Sequence, residues 1–111
     1  MATEDIIKSN FGEYFEFAEL AFKASKFNVA VTLYYKALVE LCDLALLLAV
    51  GKIGSNHAER FDLLQAHKPE LYRTASKLFN FYRDSYNKNI SKAIAGQVKE
   101  NVERAKKLVE S

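Results

Sequence analysis

The stretch NVAVTLYYKALVELCDLALLLAV, Asn28 to Val50, decides the fold. Its polar residues Asn28, Thr32, Lys36, Glu40 and Asp43 fall four, four, four and three apart, which on an α-helix sets them along one line. Every other side of that helix carries Val, Leu, Tyr, Ala or Cys, so other helices must wrap it. At about 1.5 Å per residue it runs roughly 34 Å, enough to cross a small domain. Taken alone, the polar line reads as a solvated face, with Lys36 and Glu40 forming an i,i+4 pair worth about 0.2–0.5 kcal/mol. The alternative is a polar cleft. The stretch does not read as a membrane span, because a bilayer needs about 20 apolar residues and Lys36, Glu40 and Asp43 would lie in hydrocarbon.

Outward from this spine, the remaining segments also read as helices. Before it, Phe11, Phe15, Ala18 and Phe22 recur at four, three and four, giving a core face to a first helix that starts between Thr3 and Asn10 and runs to about Lys26. Asn10 followed by Glu13 has the spacing of a capping box. Ile6, Phe17, Leu20 and Ala24 form a second apolar facet on the same helix, which implies two neighbours, inside the bundle or across a dimer contact. Lys26 to Asn28 makes a short turn into the spine, as in an antiparallel helical hairpin.

After the spine, Gly51 is placed as a C′ glycine, and Asn56 with Glu59 starts a short third helix that ends near Ala66. Pro69, the one proline, suits the first turn of a fourth helix. There Leu71, Ala75, Leu78 and Tyr82 make one row, and Tyr72, Phe79 and Tyr86 the row beside it. Ser91 is placed to cap a last helix with a seam of Ile94, Val98, Val102, Ala105 and Val109. No segment alternates with period two long enough for a strand, and no repeat appears. The expectation is an all-α chain, an antiparallel four- to five-helix up-and-down bundle, with residues 1–111 as one domain.

Half the residues are hydrophobic, with eight Phe and six Tyr, an aromatic excess that points to a subunit interface as well as a core. The single cysteine, Cys42, has no partner for an intramolecular disulfide, which fits a reduced, cytoplasmic setting. The first ten residues carry Glu4 and Asp5 and lack a long apolar run, so no secretory signal is expected there. Met1 to Gly51 holds four basic and seven acidic residues, net −3, whereas Lys52 to Ser111 holds twelve and seven, net +5. Either the basic half faces an anion, or the asymmetry vanishes when the helices pack side by side.

Standard catalytic constellations are missing from the sequence. The four glycines do not cluster into a phosphate loop, and His57 and His67, ten apart, lack a second ligand pair, so no metal and no cofactor is expected. One local cluster remains, Phe81-Tyr82-Arg83-Asp84-Ser85-Tyr86-Asn87-Lys88-Asn89 at the end of the fourth helix. Arg83 and Lys88 suit a phosphate, with Asp84, Tyr86 and Asn89 beside them and a base stacked on a tyrosine. The plainer reading is an Arg covering the core edge and an Asn-rich helix terminus.

Phe27-Asn28-Val29-Ala30-Val31-Thr32-Leu33-Tyr34-Tyr35-Lys36-Ala37, followed by Leu44 to Leu48, Gly51 and His57, resembles the prokaryotic HEPN domain. That family carries Tyr-Tyr-x-Ala on its second helix and then a glycine and a loop histidine. Phe81-Tyr82-Arg83-Asp84 is similar to the family's segment with an Arg and a following polar residue, and Ile90 to Val109 to its closing helix. The resemblance implies a dimeric helical bundle, commonly the partner of a small nucleotidyltransferase in toxin–antitoxin pairs, with many members acting as metal-independent ribonucleases. Together with the local cluster at residues 81–89, it leaves Arg83, Asp84, Tyr86, Lys88, Asn89 and His57 as the ligand-binding candidates. The nucleases use Arg, four to six residues, then His; here Arg83 matches, but that window holds Lys88, Asn89 and Ile90. A neutral imidazole takes a ribose proton near pH 7, whereas Asn does not titrate and an ordinary lysine is already protonated. The chain therefore reads as a non-catalytic dimer that binds a nucleotidyltransferase-type protein, a nucleotide or RNA. The alternative is a ribonuclease using Arg83 across the dimer.

Overall fold

The computed structural model describes residues 3–110, which form five helices and no strand. They are α1 (Thr3–Lys23), α2 (Phe27–Val50), α3 (His57–His67), α4 (Pro69–Asp84) and α5 (Lys92–Glu110). The result is an all-α, up-and-down bundle in which α2 packs against each of the other four helices. With 24 residues, α2 spans about 36 Å, close to the molecule's longest extent of 37 Å.

The apolar sides of α2 make the centre of the core. Val31, Tyr34, Tyr35, Leu38 and Leu46 are fully buried, joined by Leu64 of α3, Leu78 of α4 and Val98 and Val102 of α5. The two tyrosines retain hydrogen bonds in this apolar setting. Tyr34 donates to the Glu19 carboxylate on α1, and Tyr35 donates to the Ala75 carbonyl on α4 at 3.0 Å.

Local signals fix most helix ends. Gly51 adopts φ 72°, and its N–H returns to the Leu47 carbonyl. Asn56 Oδ1 accepts the Glu59 N–H at 2.8 Å, Pro69 opens α4, and Ser91 Oγ accepts the Ile94 N–H at 3.2 Å. The first turn is different, because Asn10 and Glu13 lie inside α1 and the capping-box reading of them fails. The helix already runs from Thr3, and Ile7, upstream of Asn10, is buried. At its other end α1 stops at Lys23, three residues short of the expected Lys26. Ser25 takes φ 59°, with Lys26 N–H on the Ala21 carbonyl at 2.8 Å and Ser25 N–H on Phe22 at 3.0 Å.

The polar line of α2 is not a solvated face. Asn28, Thr32, Lys36 and Glu40 are half-buried and Asp43 is buried, while the exposed positions of this helix are Val29, Leu48 and Ala49. No Lys36–Glu40 ion pair forms among the described residues. The line instead meets polar groups brought by α3 and by the α4–α5 connection. Asn28 Nδ2 donates to the carbonyls of Ser85 and Lys88, and its Oδ1 accepts the Ile90 N–H at 2.9 Å. Thr32 and Ser85 share a hydroxyl hydrogen bond of 2.8 Å.

Candidate functional site

Halfway along α2 the polar line opens into a cleft of about 320 Å³ between α1, α2, α3 and α4. Its charged and polar lining comes from Tyr14 of α1, Lys36 and Glu40 of α2, Asn56 and His57 at the start of α3, and Arg60 one turn later. Tyr35, Val39 and Tyr82 supply the apolar surface. The rings of Tyr35 and Tyr82 stack at 4.6 Å between centroids and 17° between planes. His57 packs edge-on against Phe79 at 5.4 Å. The Lys36 ammonium stands 6.0 Å from the centre of the Tyr82 ring.

Arg60 is spoken for. Its Nε and Nη2 reach the two Asp43 carboxylate oxygens at 2.9 and 3.2 Å, and Nη2 also donates to the Gly54 carbonyl at 3.2 Å. The fork matches the carboxylate, so two charges are held out of water as a neutral pair. Gly54 lies against this arginine, since a Cβ there would stand 2.7 Å from Arg60 Cβ.

The titratable groups of the cleft are shaped by this setting. His57 is lowered from its usual 6.5, first by burial and then by the positive charges of Arg60 and Lys36. Glu40 is raised, by burial first and then by the neighbouring Asp43 carboxylate. Burial pushes the Tyr82 hydroxyl up to about 12, helped by its hydrogen bond to Tyr86. Cys42 of α2 is buried and its thiol is pushed up to about 12, which makes it a poor nucleophile.

No family model, curated protein or solved structure matches this chain. Its side chains are what speak to function.

The residues singled out from sequence do not form one site. Arg83 is exposed, and its Nη2 donates to Asn80 Oδ1 at 3.1 Å, one turn back on α4. Lys88 folds back on Asp84, 3.5 Å away, and Asn89 is exposed. Tyr86 is exposed, with its hydroxyl 2.8 Å from that of Tyr82. His57 is the first residue of α3 rather than a loop residue, and it lines the cleft, which Arg83 does not. Tyr82 is the link between the two places, since it lines the cleft and bonds Tyr86.

Of the cleft's other members, Lys36 and Glu40 belong to the α2 line whose alternative reading is a polar cleft, whereas Tyr14, Asn56 and Arg60 are not site candidates on sequence grounds. One signal for them was available: Asp43 sits between Cys42 and Leu44 in an otherwise apolar run and needs a cation. Among the described residues, no group of three or more His, Cys, Asp or Glu side chains is arranged to hold a metal ion. No helix among them is long and apolar enough to cross a membrane.

Proposed function

We propose that this chain is a non-catalytic, HEPN-type interaction module that works as a homodimer and docks a nucleotidyltransferase-type protein partner. The observation that supports the dimer part of this reading is the second apolar facet of α1, and the partner follows from the resemblance alone. Ile6, Phe17 and Leu20 are 46, 56 and 52% exposed, three large apolar side chains on one side of one helix. A second copy suits this facet by charge. The first turn of α1 holds Glu4 and Asp5 and its last turn Lys23. Two α1 helices packed antiparallel about a two-fold axis therefore set acid against base at both ends.

The non-catalytic part of the reading rests on the surroundings of Arg83. The turn after α4 supplies Ser, Tyr, Asn, Lys and Asn but no imidazole, and His57 lines a cleft that Arg83 does not. Sedimentation at micromolar concentration tests the dimer. Wild type is expected at twice the monomer mass and the Phe17→Glu/Leu20→Lys double variant at the monomer mass; a wild-type monomer overturns the reading. The ribonuclease alternative draws support from the exposure of Arg83. Metal-free RNA cleavage by wild type that is lost in Arg83→Ala would establish it, and intact RNA with both proteins is the expected result.

A further inference from the structure

The cleft on α2 contains one cation and one anion that the bundle does not pair with each other. Lys36 and Glu40 are four residues apart on a helix, the spacing at which such side chains normally meet, yet neither makes an ion pair among the described residues. Lys36 leans over the Tyr82 ring, while Glu40 has the Asn10 side chain as its hydrogen-bond partner. The other charged pair is already balanced, because Asp43 and Arg60 neutralise one another, and burial beside Arg60 and Lys36 favours the neutral form of His57.

A ligand entering such a place is sorted by charge. A pure anion satisfies Lys36 and is repelled by Glu40, and a pure amine does the reverse, so each leaves one charge desolvated and uncompensated. A molecule with both charges close together answers both side chains. Val39 and Tyr82, whose ring is backed by the buried Tyr35, line the same cleft and give it an apolar, aromatic side. About 320 Å³ lies at the small end of ligand pockets, which suits one amino acid and not an extended chain.

We propose that this cleft binds a free aromatic amino acid, with its carboxylate on Lys36, its ammonium on Glu40 and its ring against Tyr82 and Val39. Tyr14 and Asn56 stand at the lining as further hydrogen-bond donors. The site is separate from the α1 facet, so its failure would leave the dimer reading standing.

The chain contains no tryptophan, so added L-tryptophan is the only indole present and its emission and anisotropy report binding directly. The full-length protein is expected to saturate the signal below about 1 mM, an ordinary weak-metabolite affinity. Tryptamine and indole-3-propionate, each lacking one charge, are expected to bind at least tenfold more weakly. Lys36→Met and Glu40→Gln, with helicity and melting checked by circular dichroism, should each weaken tryptophan at least tenfold. Lys36→Met should tighten tryptamine and Glu40→Gln should tighten indole-3-propionate, because each removes the charge that repels that ligand. Three results would overturn the proposal. One is no saturable tryptophan signal. Another is binding indifferent to both variants. The third is adenosine monophosphate binding more tightly than tryptophan and independent of Glu40, which would mark the cleft as an anion site.

Discussion

Replacing Arg60 with leucine removes the guanidinium that faces Asp43 and leaves that carboxylate buried without its cation. The side chains are 12 and 10% exposed, and the fork uses contacts of 2.9 and 3.2 Å. Asp43 would keep only the long 3.4 Å bond from the Gly54 N–H, and the Gly54 carbonyl would lose its arginine donor. Removing one partner of such a buried pair costs about 3–5 kcal/mol, because the survivor is left charged and unsolvated. Against a total of about 5–15 kcal/mol for a domain of this size, that is roughly a fifth of the stability or more. At roughly 4 °C per kcal/mol, Tm should fall by about 12–20 °C. Urea unfolding followed by helical ellipticity gives the free energy directly. The Asp43→Leu/Arg60→Leu double variant removes both charges and should recover most of the loss, to within about 1 kcal/mol of wild type. A cost below about 1 kcal/mol for Arg60→Leu, or a double variant no better than the single, would refute the claim that the two act as one desolvated unit.

Asn28→Ala strips the α4–α5 connection of its bonds at Ser85, Lys88 and Ile90 and should cost about 2–3 kcal/mol, with hydrogen exchange at the Ile90 amide accelerating more than the global change explains. Ser25 adopts φ 59°, a conformation glycine takes without Cβ strain, so Ser25→Gly should raise the urea midpoint by an amount worth roughly 0.5–1 kcal/mol. Gly54→Ala would press a Cβ to 2.7 Å from Arg60 Cβ and 2.8 Å from its Cα and should lower stability by about 2 kcal/mol; an unchanged Tm would mean the loop yields freely. Because His57 is depressed in the folded state, the unfolded chain takes up its proton first as pH drops. Stability is therefore whole above about 6.5 and declines as pH falls from there towards the lowered folded value. The urea midpoint should fall between pH 7.5 and pH 5, and His57→Gln should reduce that fall.

The fold was legible where the deciding information is local. Gly51, Asn56 with Glu59, Pro69 and Ser91 each act within one turn of the chain, and each sits at the helix boundary its chemistry demands. Asn10 with Glu13 has the same local form and misleads, because capping requires that the residues before it leave the helix. Thr3 to Ser9 do not leave it, and Ile7 is anchored in the core. The twin apolar facets of α1 were readable as spacing alone. Phe11 and Phe15 pack against the core while Phe17 and Leu20 face outward, so the periodicity identified both faces without saying which was covered.

The site was less legible, for a geometric reason. Residues 81–89 looked like a cluster because they are adjacent in the chain, but positions on α4 point about 100° apart and the turn after Asp84 changes direction again, so they disperse: Arg83 to Asn80, Lys88 to Asp84, Tyr82 into the cleft. The side chains that do converge are separated by long loops of sequence, Asp43 from Arg60 by seventeen residues and Asn28 from Ile90 by sixty-two. The line from Asn28 to Asp43 was correctly placed on one side of α2, but its spacing alone favours a solvated face over the polar cleft that is its alternative reading. A row of polar groups on a helix is equally what a buried seam requires when neighbours bring matching donors and charges. α3 and the α4–α5 connection bring them, satisfying Asn28, Thr32 and Asp43 and leaving Lys36 and Glu40 facing a space. Among the line's five residues, the two that the bundle does not pair with each other are the two that line the cleft, and that is the physical ground for looking there for a ligand.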